Sequence, residues 1–340
     1  MNKKPKIIAR IKSLPLTLIL TCFLASILEI HAQSVKGQVL DYRTKEPIPY
    51  SSIYFNNSFT GTASDLKGYF ELDISKNYGQ DIIVSCIGYE TKTISNYIPE
   101  KNYTVYLHEQ ITSLGEVVLT SKPKEDNDRK KILKLFIKEF LGTSRNAKQC
   151  IIENTSDIEL SYNKESKTLI ASSSKPLIIL NKALAYKITY YLEDFKKDPK
   201  ETKYQGYALF EETPPASMRK MLTIKRRRKS AYNGSRMHFF RLLWQNGLST
   251  SNFTVADTKL RYLTRLNDSI SLGDKGEKYI QYANTLKLLY KKNDESYLTF
   301  KEGTKTLFTA TGFFDPKGLL WRGSISKKRI GDLLPYEYEP

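Results

Sequence analysis

A run of five basic residues is the feature of this sequence with the clearest chemical meaning. Such a run attracts anionic groups, because each Lys or Arg adds to the positive potential of the surface. The alternative, which the pattern leaves open, is a solvated helix face that only keeps a basic protein soluble. We predict contact with an anionic surface or partner at these residues: Lys225, Arg226, Arg227, Arg228, Lys229, Tyr232, Arg236 and Arg241.

Residues with the spacing of a hydrolase site are few. Ser235 and His238 lie three residues apart, so a hydrolase centred on His238 is one hypothesis, but no Gly-x-Ser-x-Gly motif accompanies them. His238 stands among Met237, Phe239 and Phe240, which is the setting of a packing histidine. We therefore predict no catalytic residue here.

Metal chemistry and glycoside hydrolysis have equally little support. A zinc peptidase needs closely spaced His and carboxylate ligands with a third ligand further along the chain, and neither His108 nor His238 has that spacing. The adjacent carboxylates Glu193-Asp194 and Glu211-Glu212 do not reveal by spacing whether two of them converge across a cleft. The sequence predicts no metal, no cofactor and no enzymatic activity.

Two helices are predicted to position the basic run within the segment from Ser217 to Gly247. Apolar residues recur on either side of the run, which favours helices with one face packed on a sheet. Asn233-Gly234 is a turn signal between them, and Ser235 has the side chain of a helix N-cap.

Residues 1–32 are predicted to be a secretory signal peptide. Five basic residues precede an apolar run from Leu14 to Leu28, and the small residue Ala32 offers a cleavage position. The apolar run is shorter than the roughly 20 residues that a membrane-spanning helix needs. We expect an exported protein.

The positive charge is concentrated after residue 120. The chain has 54 Lys and Arg against 36 Asp and Glu, a net charge of +18. Residues 35–120 hold seven basic and ten acidic residues, and residues 1–32 hold five basic and one acidic, so an excess of 17 belongs to residues 121–340. Because an exported protein seldom meets nucleic acid, we expect no nucleic-acid partner and favour an envelope protein or an anionic lipid or glycan.

A length of 340 residues favours two domains, since single cores stop growing at roughly 250 to 300 residues. From Val35 to Thr120 the sequence predicts about seven short strands with no helical period, which is typical of a small antiparallel β sandwich. Phe70, Leu72 and Ile74 alternate with polar residues. The turn Asp65–Gly68 predicts that the strands on either side pair as a hairpin.

An ordered series of motifs in residues 33–120 resembles the carboxypeptidase-like regulatory domain. The resemblance implies a transthyretin-like sandwich, a non-catalytic accessory role and an origin in Bacteroidota, where such domains begin exported proteins that include outer-membrane receptors of the TonB-dependent kind. Together with the predicted signal peptide, it implies a location in the periplasm or on the periplasmic face of the outer membrane. The motifs are Gly37–Asp41, Glu46–Ile53, Gly61–Phe70, Ile83–Tyr89 and Leu114–Leu119.

The second half is predicted to be a basic α+β domain, residues 132–340, behind a charged linker at residues 121–131. Spacings of three and four between Ile132, Leu135, Phe136 and Phe140 predict a helix that Gly142 ends. Strand-like stretches follow on both sides of the basic segment, and Phe314–Gly318 predicts a hairpin between two of them. The domain order resembles that of uncharacterised Bacteroidota proteins, which implies an architecture but no activity.

The sequence leaves three functions open. The first is a non-enzymatic cell-envelope protein that recognises or positions a partner or an anionic surface, with peripheral membrane association. The second is a carbohydrate-binding or polysaccharide-handling accessory protein, favoured by the sandwich and by 23 tyrosines. The third is the hydrolase. Cys86 and Cys150 form a disulfide only if the fold brings them together.

Overall fold

The computed structural model describes residues 33–77, 80–110, 126–215, 217–259, 266–273, 277–291, 293–316 and 318–340. The predicted signal peptide, residues 121–125 of the predicted linker and the strand expected at Glu116–Leu119 lie outside these residues. Residues 126–131 of the predicted linker belong to a helix instead. The described chain is mostly β, with several antiparallel sheets and three α-helices, in keeping with the sequence-based fold class at that level.

The N-terminal part is built from seven strands in two sheets. One sheet has the order β4-β1-β7, with β1 antiparallel to β4 and parallel to β7, and the other has the order β3-β2-β5-β6. The strands are β1 Ser34–Asp41, β2 Ser52–Phe55, β3 Gly61–Ala63, β4 Tyr69–Asp73, β5 Ile82–Ser85, β6 Lys92–Ile94 and β7 Asn102–Leu107.

The two sheets of the N-terminal part share one apolar core. Along β4 the burial alternates as predicted, with Phe70 and Leu72 inside and Glu71 outside. Gly37 of β1 has no side chain where the Phe70 ring packs, and a Cβ there would lie 2.3 Å from the carbonyl oxygen of Tyr103. Core residues from both sheets include Val35, Val39, Ile53, Phe55, Leu72, Val84 and Val105.

The turn predicted at Asp65–Gly68 is present, but the prediction that the strands on either side of it pair with each other is wrong. The Gly68 N–H donates to the Asp65 carbonyl at 3.0 Å, so the turn is present. However, β3 pairs with β2 and β4 pairs with β1, so the turn is a corner between sheets. The hairpin predicted at Phe314–Gly318 fails in the same way, because the strands on either side of it belong to different sheets.

A six-stranded antiparallel sheet and one helix form the middle of the chain. The sheet has the order β8-β11-β12-β10-β9, and β13 pairs with β12. Helix α1 packs Phe136 and Phe140 against the sheet residues Phe195 and Tyr190, with ring centres 4.8 and 5.1 Å apart. The elements are α1 Asp126–Leu141, β8 Cys150–Ile152, β9 Ile158–Asn163, β10 Thr168–Ser173, β11 Leu177–Asn181, β12 Tyr186–Lys197 and β13 Thr202–Glu212.

The last part combines two helices with two further sheets. Its core surrounds Phe239, Phe240 and Leu243 of α3 and is separate from the core of the six-stranded sheet. The sheets have the orders β14-β17-β18-β20 and β15-β16-β19. The elements are α2 Met218–Tyr232, α3 Arg236–Trp244, β14 Phe253–Asp257, β15 Ile270–Leu272, β16 Lys278–Ile280, β17 Leu286–Tyr290, β18 Asp294–Phe300, β19 Thr306–Phe308 and β20 Leu319–Gly323.

Short 3₁₀ helices connect these elements. They span Ala147–Gln149, Thr155–Asp157, Leu248–Thr250, Leu266–Ser269, Ser324–Lys327 and Ile330–Asp332. The segment predicted as one basic domain, residues 132–340, thus contains two apolar cores. The domain boundaries themselves stay a prediction.

The turn between β2 and β3, residues 56–60, joins the N-terminal part to the rest of the chain; we call it the docking turn. The N–H of Asn57 donates to the Ala208 carbonyl at 2.6 Å, and the N–H of Phe210 donates to the Ser58 carbonyl at 2.8 Å. The N–H of Tyr336 donates to the Asn57 carbonyl at 2.8 Å. The docking turn is therefore bonded through main-chain atoms both to β13 and to Tyr336.

Candidate functional site

Two helices carry the predicted basic site, and they break where the sequence indicates. The Ser217 hydroxyl accepts from the Lys220 N–H at the start of α2, and the Ser235 hydroxyl accepts from the His238 N–H at the start of α3. Between them Gly234 has a φ of +69°, and a Cβ there would lie 2.7 Å from the Tyr290 ring. The prediction of two helices, the break and the cap is confirmed.

One face of α2 packs on the protein. Ile224, Ala231 and Tyr232 are its buried residues. Lys328 donates to the carbonyls of Ser230, Ala231 and Asn233, and so satisfies carbonyls that the end of a helix leaves without partners. The orientation of α2 is thereby fixed, and with it the direction in which its other side chains point.

Arg228, a member of the basic run, is used inside the fold. Its guanidinium donates to the Leu184 carbonyl at 2.8 Å and forms an ion pair with Glu212 at 2.7 Å. It also lies 4.0 Å from the centre of the Tyr186 ring. Arg228 therefore attaches α2 to the six-stranded sheet rather than presenting its charge to solvent.

Arg241 and Tyr232 are also engaged internally. The guanidinium of Arg241 donates to the carbonyls of Thr311, Tyr336 and Tyr338 at 2.8, 2.9 and 2.7 Å. Tyr232 is buried, and its ring lies beside His238 at 4.6 Å. These contacts hold residues 336–338 against α3.

Two further members of the predicted set are half-buried. The Arg227 side chain donates to the Gln149 amide oxygen at 3.2 Å. Arg236 lies 5.7 Å from the centre of the Trp321 ring. Each therefore has a neighbour within the fold, although part of its surface remains open.

The exposed charge of the site belongs to Lys225, Arg226 and Lys229. Among the described residues, no acidic group lies within ion-pair distance of these three. They border an open groove of about 560 Å³ between α2, the docking turn and residues 337–340. The groove is lined by Phe59, Tyr186, Glu212, Lys225, Arg226, Arg228, Lys229, Glu337, Tyr338, Glu339 and Pro340.

Several groove residues are absent from the sequence-based site. Phe59 lies more than 120 residues before α2, and Glu337 lies about 100 residues after it. Glu337 accepts from the Phe59 N–H at 3.0 Å, which places both beside the basic helix. Spacing along the chain gives no signal for such neighbours.

The Ser235–His238 pair does not have the geometry of a nucleophile and its base. The Ser235 hydroxyl accepts from the main-chain N–H of His238 as a helix cap, at 3.1 Å. The His238 Nδ1 accepts from the Gly234 N–H, also at 3.1 Å. Burial, together with the nearby charges of Lys328 and Arg241, lowers the pKa of His238 to about 4. These contacts assign the histidine a structural role.

We expect the burial of neutral His238 to make stability fall as the solution becomes acidic. The pKa is about 4 in the folded chain and about 6.5 in the unfolded chain, so protons bind the unfolded state first as pH falls below 6.5. Between pH 7.5 and pH 5 the free energy of unfolding should drop by about 1.5 kcal/mol from this group, allowing for its partial exposure. Urea unfolding at both pH values measures the drop.

The variant His238→Asn is the control for this pH effect. An Asn side-chain oxygen can accept from the Gly234 N–H in place of Nδ1, but it does not titrate. The difference between the two pH values should be smaller by about 1.5 kcal/mol in the variant. An equal pH dependence in both proteins would contradict the assignment.

Three of the four paired carboxylates have local partners. Glu211 forms an ion pair with Lys187 at 2.9 Å, and Glu212 pairs with Arg228. Glu193 accepts from the Gln205 amide at 3.0 Å. In the part of the chain that the structure describes, no three His, Cys, Asp or Glu side chains group as metal ligands.

Cys86 and Cys150 are not bonded to each other. Both thiols are free, with Cys86 just after β5 and Cys150 at the start of β8. Burial raises the pKa of Cys150 to about 12, so this thiol stays protonated at neutral pH. Neither cysteine is placed at the groove.

Comparison with known proteins finds a family match for part of the chain. Residues 35–119 match the family of CarboxypepD_reg-like domains, which are regulatory and non-catalytic. The N-terminal β part is consistent with that fold, and the resemblance carried by its motifs is confirmed for these residues. No curated protein matches the chain.

Solved structures give weak likenesses. A type II cohesin–X–dockerin complex from Acetivibrio cellulolyticus is 18% identical over 22% of this chain and 51% of that chain, with a TM-score of 0.18. A candidate carbohydrate-binding protein from Bacteroides uniformis is 8% identical over 53% and 79%, with a TM-score of 0.19. A candidate membrane-associated protein of unknown function from Bacteroides fragilis is 10% identical over 86% and 94%, with a TM-score of 0.18.

Proposed function

We propose that this chain is an exported, non-enzymatic protein of the cell envelope of a Bacteroidota bacterium, which recognises an anionic partner through the exposed basic face of α2. The partner is an envelope protein or an anionic lipid or glycan. Its place is the periplasm or the periplasmic face of the outer membrane. The leader-like residues 1–32 and the regulatory family of residues 35–119 support the location and the accessory role.

The observation that carries the proposal is that the basic residues of α2 fall into two groups, one bound within the fold and one exposed. Arg228 is committed to the fold, whereas Lys225, Arg226 and Lys229 are exposed and have no described acidic partner. Lys328 and Arg228 hold the helix in one orientation, and the three exposed cations border the same groove. Three cations at fixed positions are suited to recognition of negative charge.

The groove supports a second candidate, which is binding of an acidic glycan. Phe59 lies at the edge of the groove and is 36% exposed. An exposed aromatic ring can stack on a sugar while the basic side chains bind its acidic group. Tyr186 is 1% exposed and is covered by Arg228, so it cannot serve in this way. Saturable binding on an array of envelope glycans, lost in Phe59→Ala, would favour this candidate.

The proposal is tested with the triple variant Lys225→Glu, Arg226→Glu and Lys229→Glu. Each cation contributes about 1 kcal/mol at an anionic surface, so reversing three charges should weaken binding to isolated cell envelopes at least about 100-fold. Titration of the full chain with envelopes of the producing cell, at low and high salt, measures the affinity and its salt dependence. Crosslinking in cells through residues 217–247 then identifies the partner.

A matched control places the same charge change elsewhere. Lys200, Lys301 and Lys305 are exposed lysines outside α2, and their triple reversal to Glu alters net charge equally. It should weaken envelope binding much less than the α2 variant. Binding that survives the α2 reversal, or falls equally in both variants, would mean that α2 is only a solvated face.

A further inference from the structure

One exposed stripe of α2 changes from apolar to basic along its length. Met218, Leu222, Lys225 and Lys229 are separated by four, three and four residues, so they lie in a row on one face of the helix. Arg226 follows Leu222 by one helical turn and adds to the basic end. The row runs about 16 Å, at 1.5 Å per residue.

The apolar end of this stripe is unusually open. Met218 is 69% exposed, Leu222 is 55% exposed and Met221, beside them, is 36% exposed. Single exposed apolar residues are ordinary on a protein surface, but three within one turn of a helix form a patch. The patch adjoins the cations that have no described acidic partner, so its surroundings are polar and positively charged.

We infer that this stripe lies on the surface of an anionic phospholipid bilayer, with Met218 and Leu222 inserted at the boundary between headgroups and acyl chains. Lys225, Arg226 and Lys229 then meet the lipid phosphates. The inference rests on the proposed function and specifies its partner. A helix with an apolar patch and a basic patch on one exposed face matches a bilayer, which presents negative charge above an apolar layer.

The form of the stripe favours a bilayer over a pocket in another protein. Met218 and Leu222 lie outside the groove on the exposed side of α2, whose buried residues are Ile224, Ala231 and Tyr232. A fluid bilayer surface can adapt to the shape of an exposed helix, and the Met and Lys side chains are flexible enough to adapt to the bilayer. In the described parts of the chain the helices are too short or too polar to cross a membrane.

The test compares variants of the full chain on vesicles of phosphatidylcholine with and without 30% phosphatidylglycerol. All variants keep the same residues 1–32, so any binding by that segment is common to them. Met218→Gln with Leu222→Gln should weaken binding to the anionic vesicles at least tenfold. The control, Leu66→Gln with Leu272→Gln, removes two leucines that are 73% and 74% exposed elsewhere and should leave affinity unchanged.

A tryptophan at the apolar end reports insertion directly. In Leu222→Trp, fluorescence should shift to shorter wavelength on anionic vesicles and be quenched by brominated acyl chains. Trp244 and Trp321 pack against the core around Phe239, Phe240 and Leu243 and also fluoresce. Their signal is measured in the parent protein and subtracted.

The outcomes separate the two proposals. If Met218→Gln with Leu222→Gln binds vesicles as well as the parent, while the α2 charge reversal abolishes binding, anion recognition stands and insertion is wrong. If anionic vesicles are not bound but an envelope protein crosslinks through α2, the partner is a protein and the bilayer inference is overturned. If vesicle and envelope binding both survive charge reversal, the proposed function itself fails.

Discussion

Replacing Arg241 by Met is expected to lower the free energy of unfolding by about 4 kcal/mol. One guanidinium donates to three carbonyls, those of Thr311, Tyr336 and Tyr338, and it lies 5.4 Å from the centre of the Tyr232 ring. A hydrogen bond from a charged donor contributes about 1.5 to 3 kcal/mol, and the carbonyls that regain water recover part of the loss. Urea unfolding measures the change.

The same variant should free residues 335–340. Hydrogen exchange at Tyr336 and Tyr338 is expected to accelerate, although the Tyr336 N–H retains its bond to the docking turn. Arg226→Met is the matched control, because Arg226 is exposed, and it should change stability by less than about 0.5 kcal/mol. Arg241→Lys should restore less than half of the loss, since an ammonium group cannot reproduce the planar fork of donors. A decrease in the free energy of unfolding below 1 kcal/mol in Arg241→Met would contradict the role of Arg241 in holding residues 336–338.

Replacing Arg329 by Met should cost about 3 kcal/mol, because it leaves the Glu139 carboxylate half-buried without its cation. Arg329 forms an ion pair at 2.9 Å with Glu139, which lies on α1. The Thr202 hydroxyl donates to the same carboxylate oxygen at 3.0 Å. Breaking one side of such a pair is costlier than removing both. The double variant with Glu139→Gln should therefore be more stable than Arg329→Met alone.

Acid should reduce the difference between the parent and Arg329→Met. Burial raises the pKa of Glu139, but hydrogen bonds from Arg329 and Thr202 outweigh it and hold the pKa below 4.5. The parent therefore keeps this stabilisation at neutral pH and loses it as pH falls through the folded pKa. Without Arg329 the pKa of Glu139 rises, so this carboxylate is protonated at a higher pH in the variant than in the parent. Protonation removes the unpaired charge and so restores part of the variant's stability. The free energies of unfolding of the parent and of Arg329→Met are compared at pH 7 and at pH 4.5. An equal difference between the two proteins at both pH values would contradict this account.

Local pattern was enough to predict the elements that carry the site. The alternation around Phe70 and Leu72 predicted a half-buried strand, and Asn233-Gly234 followed by Ser235 predicted the break and the cap between α2 and α3. These features depend on side-chain period and turn chemistry within a few residues, which the sequence states directly. The same reasoning found the helix that ends before Gly142.

Long-range contacts account for what the sequence did not reveal. Arg228 and Arg241 look like their exposed neighbours in the sequence, but their partners lie up to 97 residues away. Whether an arginine holds the fold together or faces solvent depends on those partners. The strands on either side of Asp65–Gly68 were assigned to one hairpin for a similar reason, because a turn signal does not specify which sheet each strand joins.

The docking turn makes the attachment of the N-terminal part depend on the length of residues 56–60 as well as on their side chains. Its contacts with Ala208, Phe210 and Tyr336 are made by main-chain N–H and carbonyl groups, which every residue except proline supplies. Side chains of the turn make contacts as well: Asn56 Oδ1 accepts from the Ala208 N–H at 2.9 Å, and Asn57 Nδ2 donates to the Leu334 carbonyl at 2.9 Å. Asn57 also has a φ of +58°, which favours Asn or Gly. An inserted or deleted residue would displace these bonds together. Related chains should keep the length of this loop and, at positions 56 and 57, side chains that can form the same hydrogen bonds.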